Sequence, residues 1–139
     1  MDLNPVELTP VESDDLGWHR YTALVDARPL DVEISARWAR SPVDARALAD
    51  QVVARILRDR AELTAHCADA LLADHNREWS DGGAHLDEAT FRSMLTLIGI
   101  GVMPDGHVRA RFADAGLFRG HDVVVDLDPD LRYVYTMLE

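Results

Sequence analysis

The stretch 41–79, SPVDARALADQVVARILRDRAELTAHCADALLADHNREW, decides the fold, because it is the one long helical signal in a chain otherwise written in strands. Ser41 stands where an N-cap belongs, Pro42 suits the first helical position, and Asp44 completes a capping-box spacing. Val43, Ala47, Val52, Ile56, Leu63, Cys67, Ala70 and Leu71 follow a helical period, with Asp74 as its polar last member. No Gly or Pro interrupts the pattern before Gly82, and "SDGG" (80–83) ends it. A single helix over 42–79 would run about 55 Å at 1.5 Å per residue. That is long for 139 residues, so one helix and two remain alternatives. A bend belongs near Arg58–Thr64, where polar residues cluster.

Both flanks read as strands. Before the helix, "WHRYTALV" (18–25) and "LDVEISARW" (30–38) enclose the turn composition "DARP" and form a β-hairpin. In its second arm Val32, Ile34, Ala36 and Trp38 alternate with Asp31, Glu33, Ser35 and Arg37, the period of a half-buried strand. After the helix, a short one is expected over Glu88–Leu95, with Asp87 as N-cap and Phe91, Met94 and Leu95 facing inward. Four strand-like runs follow. "LIGIGVM" (97–103) turns through "PDG" into "HVRARF" (107–112), and "ADAGLFRG" leads to "HDVVVDL" (121–127), then "DPD" and "RYVYTML" (132–138). Strands grouped in this way predict an α+β fold: a mainly antiparallel sheet covered on one face by the helices. Residues 1–15, with Pro5, Pro10 and five acids, read as a flexible acidic leader or an arm lying on a single domain of residues 16–139.

Composition narrows the chemistry. Net charge is −11, and all fourteen basic residues are arginine. Without lysine there is no lysine Schiff base, Walker-type phosphate lysine or Ser-Lys dyad. The acidic balance argues against nucleic acid and suits a basic protein partner. One cysteine, Cys67, cannot form an internal disulfide, and a reducing, cytoplasmic setting is expected. No stretch approaches the roughly 18 apolar residues of a membrane span, and the N-terminus lacks a signal-peptide apolar run.

Candidate sites are few. Asp126, Asp128 and Asp130 imitate the start of a calcium loop. Leu131 stands where the loop needs glycine, Met137 where it needs glutamate, and Pro129 interrupts it. A polar hairpin turn is the expectation, with no metal and no cofactor. His121 falls on the apolar face with Val123, Val125 and Leu127, while Asp122, Val124, Asp126 and Asp128 fall on the other. Its alternatives are a structural histidine at a "GH" corner, beside a Gly120 of special backbone angle, and a functional one. His75 and Glu78 lie three apart on a helix and could act as an acid–base pair, though a solvated face explains them as well. Near them Trp79 is expected to pack and Asn76 to bond neighbouring backbone. Cys67 reads as a small buried hydrophobe, and the glycines of "GIG" (99–101) as sites of a bulge or close packing.

The order "LLADHNREW", "LDEATFRSML", "MPDGHVRARFADAGLFRGHDVVVDLD" resembles a bacterial family known as domain of unknown function 2262. The resemblance rests on Asn76 and Trp79, Phe91, Asp105 and Gly106, and Leu117, Phe118, Gly120 and His121, and covers about residues 70–128. It implies a fold and transfers no activity. Two functions are therefore expected. One is a non-catalytic protein-binding module, of the immunity or antitoxin-like kind, acting as a monomer or homodimer. The alternative is a small-ligand binder or enzyme whose site joins the Phe118–Asp122 corner to the end of the long helix, with His121, His75 and Glu78 as catalytic candidates. In that case Asn76, Trp79, Phe118, Gly120 and His121 would line it.

Overall fold

A computed structural model describes residues 6–12, 16–80 and 82–139. They form an α+β domain of three α-helices and a seven-stranded, mostly antiparallel sheet. The strands lie side by side in sequence order: β1 (Thr9–Pro10), β2 (Trp18–Val25), β3 (Arg28–Ser35), β4 (Thr96–Val102), β5 (Val108–Ala113), β6 (Val123–Leu127) and β7 (Tyr133–Leu138). Between β3 and β4 the chain runs through α1 (Pro42–Arg58), α2 (Arg60–Asp74), a five-residue π-helical turn (His75–Trp79) and α3 (Glu88–Ser93). That long crossover lets β3 and β4 pair in parallel, Asp31 with Gly99 through Ile34 with Val102, whereas every other neighbouring pair is antiparallel.

Local chemistry explains the joints. Asp26 and Ala27 both adopt positive φ, 51° and 63°, the geometry of a two-residue hairpin, so β2 and β3 pair to the very turn (Val25 with Arg28). The Ser41 hydroxyl accepts the Asp44 N–H at 3.0 Å, and Pro42 follows it. The long helix breaks at Asp59, within the stretch where a bend was expected, and Asp59 both ends α1 and opens α2. Its carboxylate accepts from Arg55 Nε at 2.7 Å and Arg58 Nε at 3.1 Å. Chiefly the Arg55 bond holds its pKa below the usual carboxylate range. Arg92 on α3 donates to the Ala61 carbonyl and to Thr64, anchoring α3 to the first turn of α2.

The core lies between one face of the sheet and the helices. Leu30, Val32, Ile34, Ile100, Val102, Ala110, Phe112, Val123 and Val125 meet Ala45, Ala49, Val52, Val53, Ile56, Leu63 and Cys67. The helical face is thus shifted from the expected one: Val43, Ala47 and Ala70 are exposed, and Ala45, Ala49, Val53 and Ala68 take their places. Trp38 is not a core strand position either. β3 stops at Ser35, and the indole reaches across the "PDG" turn, where a Cβ on Gly106 would lie 2.6 Å from its ring. Gly106 also has φ +87°, so both conformation and contact require glycine there. Of the stretch 1–15, residues 6–12 lie along the sheet as an arm: β1 pairs with β2, and Leu8 is buried. Residues 1–5 and 13–15 lie outside the described residues. No described helix is long and apolar enough to cross a membrane.

Candidate functional site

The helix end and the 114–122 loop do meet, as a packed aromatic corner. Phe118 is fully buried and receives ring edges from three sides: His75 at 5.7 Å, Trp79 at 5.5 Å and Phe91 at 6.1 Å between centroids. The widened π-turn sets His75 inward and leaves Asn76 facing the 80–87 loop. Asn76 Oδ1 accepts the Leu86 N–H at 3.0 Å while its Nδ2 donates to the Leu86 carbonyl at 3.0 Å, and His75 Nδ1 lies 3.1 Å from that same Oδ1. Asn76 is therefore spent on holding Leu86, and His75 is tied to it through Nδ1 alone. Glu78 is not brought to His75: it is exposed and pairs with Arg77. A cleft of about 300 Å³ opens beside the corner, lined by His75, Trp79, Leu86, Met94 and Gly116 among others.

His121 departs from expectation. It is exposed and precedes β6, which begins at Val123, so the alternation that assigned it to the core face does not apply. Its ring lies edge-on to Trp79 at 6.0 Å, with the Arg119 guanidinium over the Trp79 ring at 5.5 Å. The corner anchor is instead Asp114, which sequence reasoning missed. Its carboxylate accepts three backbone N–H groups, from Gly116 at 3.1 Å, Phe118 at 2.8 Å and Gly120 at 3.1 Å. Those bonds fold a loop in which Ala115, Gly116, Arg119 and Gly120 all have positive φ; at Gly120 it is +88°. A carboxylate bonding amides two, four and six residues ahead leaves no periodic signal. Only the string D-x-G-x-x-x-G hints at it.

Among the described residues, no helix packs on the sheet's other face. Asp126 belongs to it as expected, yet it is 2% exposed and not solvated. His107 Nδ1 lies 2.8 Å from Asp126 Oδ2, and Arg109 Nε lies 3.6 Å from Oδ1. Asp128 serves the β6–β7 turn, its Oδ1 accepting the Asp130 and Arg132 N–H groups. The Asp126 hydrogen bond, aided by the charges of Asp126, Asp105 and Asp128, outweighs desolvation and raises the His107 pKa above the ordinary histidine value. The folded state therefore holds the imidazole proton more tightly than the unfolded chain does. Its stabilisation is complete below the unfolded pKa and is lost as pH rises through the folded one. Replacing Asp126 with asparagine is expected to move the His107 midpoint, followed by NMR titration, downward. An unchanged midpoint would refute this account.

Two other features bear on function. The Cys67 thiol is fully buried, and burial pushes its pKa up to about 12. No group of three or more His, Cys, Asp or Glu side chains that could hold a metal occurs among the described residues. The sheet's two edges also differ. β1 is two residues long and contains Pro10, which blunts that edge. β7 is six residues long, and its Tyr133, Val134 and Tyr135 are exposed. Asp122 and Glu139 exchange reciprocal N–H···O bonds at 2.9 Å. By antiparallel alternation, Met137 and Tyr135 bond to β6, whereas Leu138 and Thr136 turn their backbone groups outward.

No family model, curated protein or solved structure matches the chain. The likeness to domain of unknown function 2262 therefore rests on the quoted motifs alone.

Proposed function

We propose that the protein is a non-catalytic protein-binding module, of the immunity or antitoxin-like kind, that takes an extended segment of a basic partner along β7 in the cytoplasm. The observation that carries this reading is the asymmetry of the sheet: one edge is closed by a two-residue, proline-bearing strand, and the other offers outward N–H and C=O groups beside exposed tyrosines and valine. A net charge of −11 supports a basic partner, which it would attract at long range and release as salt screens it. The alternative, a ligand site at the aromatic corner, has less support: Asn76 is committed to Leu86 and Glu78 turns away to Arg77, leaving His75 and Trp79 beside the cleft.

The test is a Thr136→Pro variant. Proline there removes an outward N–H without touching the β6 ladder, at the cost of the exposed bond between Thr136 and the Tyr133 hydroxyl. Tagged wild type should retain a basic protein from native lysate at low salt and release it at high salt, and the folded variant should lose it at both. Equal capture by the variant would reject the β7 edge. Capture indifferent to salt would reject the electrostatic part, and self-association lost in the variant would assign the edge to a second copy instead.

A further inference from the structure

A cavity of about 590 Å³ opens where the β2–β3 turn, the first turns of α2, the end of α3 and the start of β4 come together. Its lining carries three arginines, each from a different element: Arg28 at the start of β3, Arg60 at the start of α2 and Arg92 on α3. Asp26 is the only acid among the described residues of the lining. In a chain with 25 acids and 14 bases, that reverses the balance, and counting Glu88, 3.8 Å from Arg92 Nη1, does not restore it. Leu95 and Phe112, both members of the buried core, also line the cavity, beside Val25 and Leu97. A cationic wall thus meets an apolar floor.

The three guanidinium groups are held unequally. Arg92 is fixed, with Nη2 donating to the Ala61 carbonyl at 2.7 Å and Nε to Thr64 Oγ1 at 3.2 Å. Arg60 donates from Nη1 to Asp26 at 3.1 Å, but that carboxylate is 75% exposed, and so wet an ion pair holds weakly. Arg28 makes no ion pair among the described residues; its Nη1 donates to Thr96 Oγ1 at 3.0 Å. A guanidinium has five N–H donors, so Arg28 and Arg60 each keep most of theirs. Thr96 Oγ1, an acceptor from Arg28, keeps its O–H to donate. The single bonds orient these groups without exhausting them.

We infer that this cavity binds a phosphomonoester of a small apolar alcohol, its dianion on Arg28, Arg60 and the Thr96 hydroxyl and its body on Leu95, Leu97 and Phe112. Planar guanidinium forks match phosphate oxygens through paired N–H···O bonds. A carboxylate would engage one fork and leave the second cation unneutralised, whereas a phosphate offers three peripheral oxygens and about two charges. Inorganic phosphate would fill a small part of the cavity and leave the apolar floor wet, so the body of the ester belongs to the fit. The net charge of −11 does not forbid an anion here. At physiological salt, fields decay over about 8 Å, and the neighbouring arginines govern. No lining residue belongs to β7, so this site and the β7 edge can fail separately.

The probe is phenyl phosphate, titrated into uniformly 15N-labelled protein at about 0.15 M salt, with phenol and inorganic phosphate as controls. The ester should shift the backbone amide signals of Arg28, Arg60 and Thr96 in a saturable way. Each control should bind at least about tenfold more weakly, since one lacks the charge and the other the body. Arg28→Gln should weaken binding by about the same factor and leave the melting temperature nearly unchanged, because the side chain is exposed. Arg60→Gln should do likewise, whereas Arg37→Gln, at an exposed arginine outside the lining, should change nothing. Four results would each overturn the inference: no saturable shift at roughly ten-millimolar probe, phenol or inorganic phosphate binding as well as the ester, undiminished binding by the folded Arg28→Gln and Arg60→Gln variants, or an equal loss in Arg37→Gln.

Discussion

Replacing Asp114 with alanine is expected to cost on the order of 3 kcal/mol of folding stability, measured by urea denaturation, because one carboxylate satisfies three amides. Asp114 is 6% exposed, and the Phe118 N–H beneath it is buried, so water replaces that bond poorly. The loop it holds includes two non-glycine residues at positive φ, Ala115 at 49° and Arg119 at 56°, conformations that L-residues adopt at a cost. The carboxylate adds to the backbone bonds within the loop, such as Leu117 N–H to the Asp114 carbonyl at 2.9 Å. Asparagine should do little better, since it offers one acceptor oxygen and turns an NH₂ toward the remaining donors. A loss below about 1 kcal/mol in the alanine variant would show that the loop holds itself together.

The same group sets an acid limit. Burial alone would raise the Asp114 carboxyl, but the amides of Phe118, Gly116 and Gly120 outweigh burial and hold it below the usual carboxylate range. A folded pKa below the unfolded one stabilises fully above the unfolded value, and this stabilisation is lost as pH falls through the folded value. The difference between wild type and Asp114→Ala should therefore be constant near neutrality and shrink below about pH 4. A gap that persisted unchanged into stronger acid would mean that the alanine variant fails for lack of packing and not for lack of charge.

The contrast between Asp114 and the 41–79 helix shows what a sequence makes legible here. Helical period, an N-cap serine and a first-turn proline are local, so the helix and its weak point near Asp59 can be read from neighbours a few positions apart. The mainly antiparallel sheet follows from short turns for the same reason. The parallel β3–β4 pair depends on where the crossover delivers the chain, and neither strand alone encodes it. His121 and Asp126 are misjudged in burial, in opposite directions and for different reasons. A period of two was extended past the true start of β6, which carried His121 inward. Asp126 keeps its place on the polar face, but its burial there depends on the cross-strand neighbours Arg109 and Tyr135, which no local pattern reveals. Asn76 was legible as a backbone-bonding residue, but its partner Leu86 was not, since ten residues and a loop separate them. The glycines of "GIG" are legible as a bulge site, and β4 does shift register against β5 between Leu97 and Gly99, but which residues flank it across the sheet appears only once three strands are in register.

Phe118→Ala is expected to remove about 3–5 kcal/mol, the cost of emptying a fully buried aromatic site. A domain of this size has roughly 5–15 kcal/mol in all, so the variant should be close to unfolding at room temperature. The loss should exceed that of an isolated core phenylalanine, since edge contacts with His75, Trp79 and Phe91 disappear together. Phe118→Leu, which keeps most of the volume, should retain more than half of the lost stability. His121→Ala supplies the comparison from the same corner: the imidazole is exposed and lies edge-on to Trp79, so its removal should cost less than about 0.5 kcal/mol. Denaturant midpoints for the three variants decide between two descriptions of the corner. If Phe118→Ala is ruinous and His121→Ala silent, the loop is held by Phe118 from within and Asp114 from behind, and His121 is free to be an outward-facing contact. If the histidine variant proves as costly as the phenylalanine one, the imidazole is part of the packing, and the corner must close more tightly over Trp79 than a 6.0 Å edge contact implies.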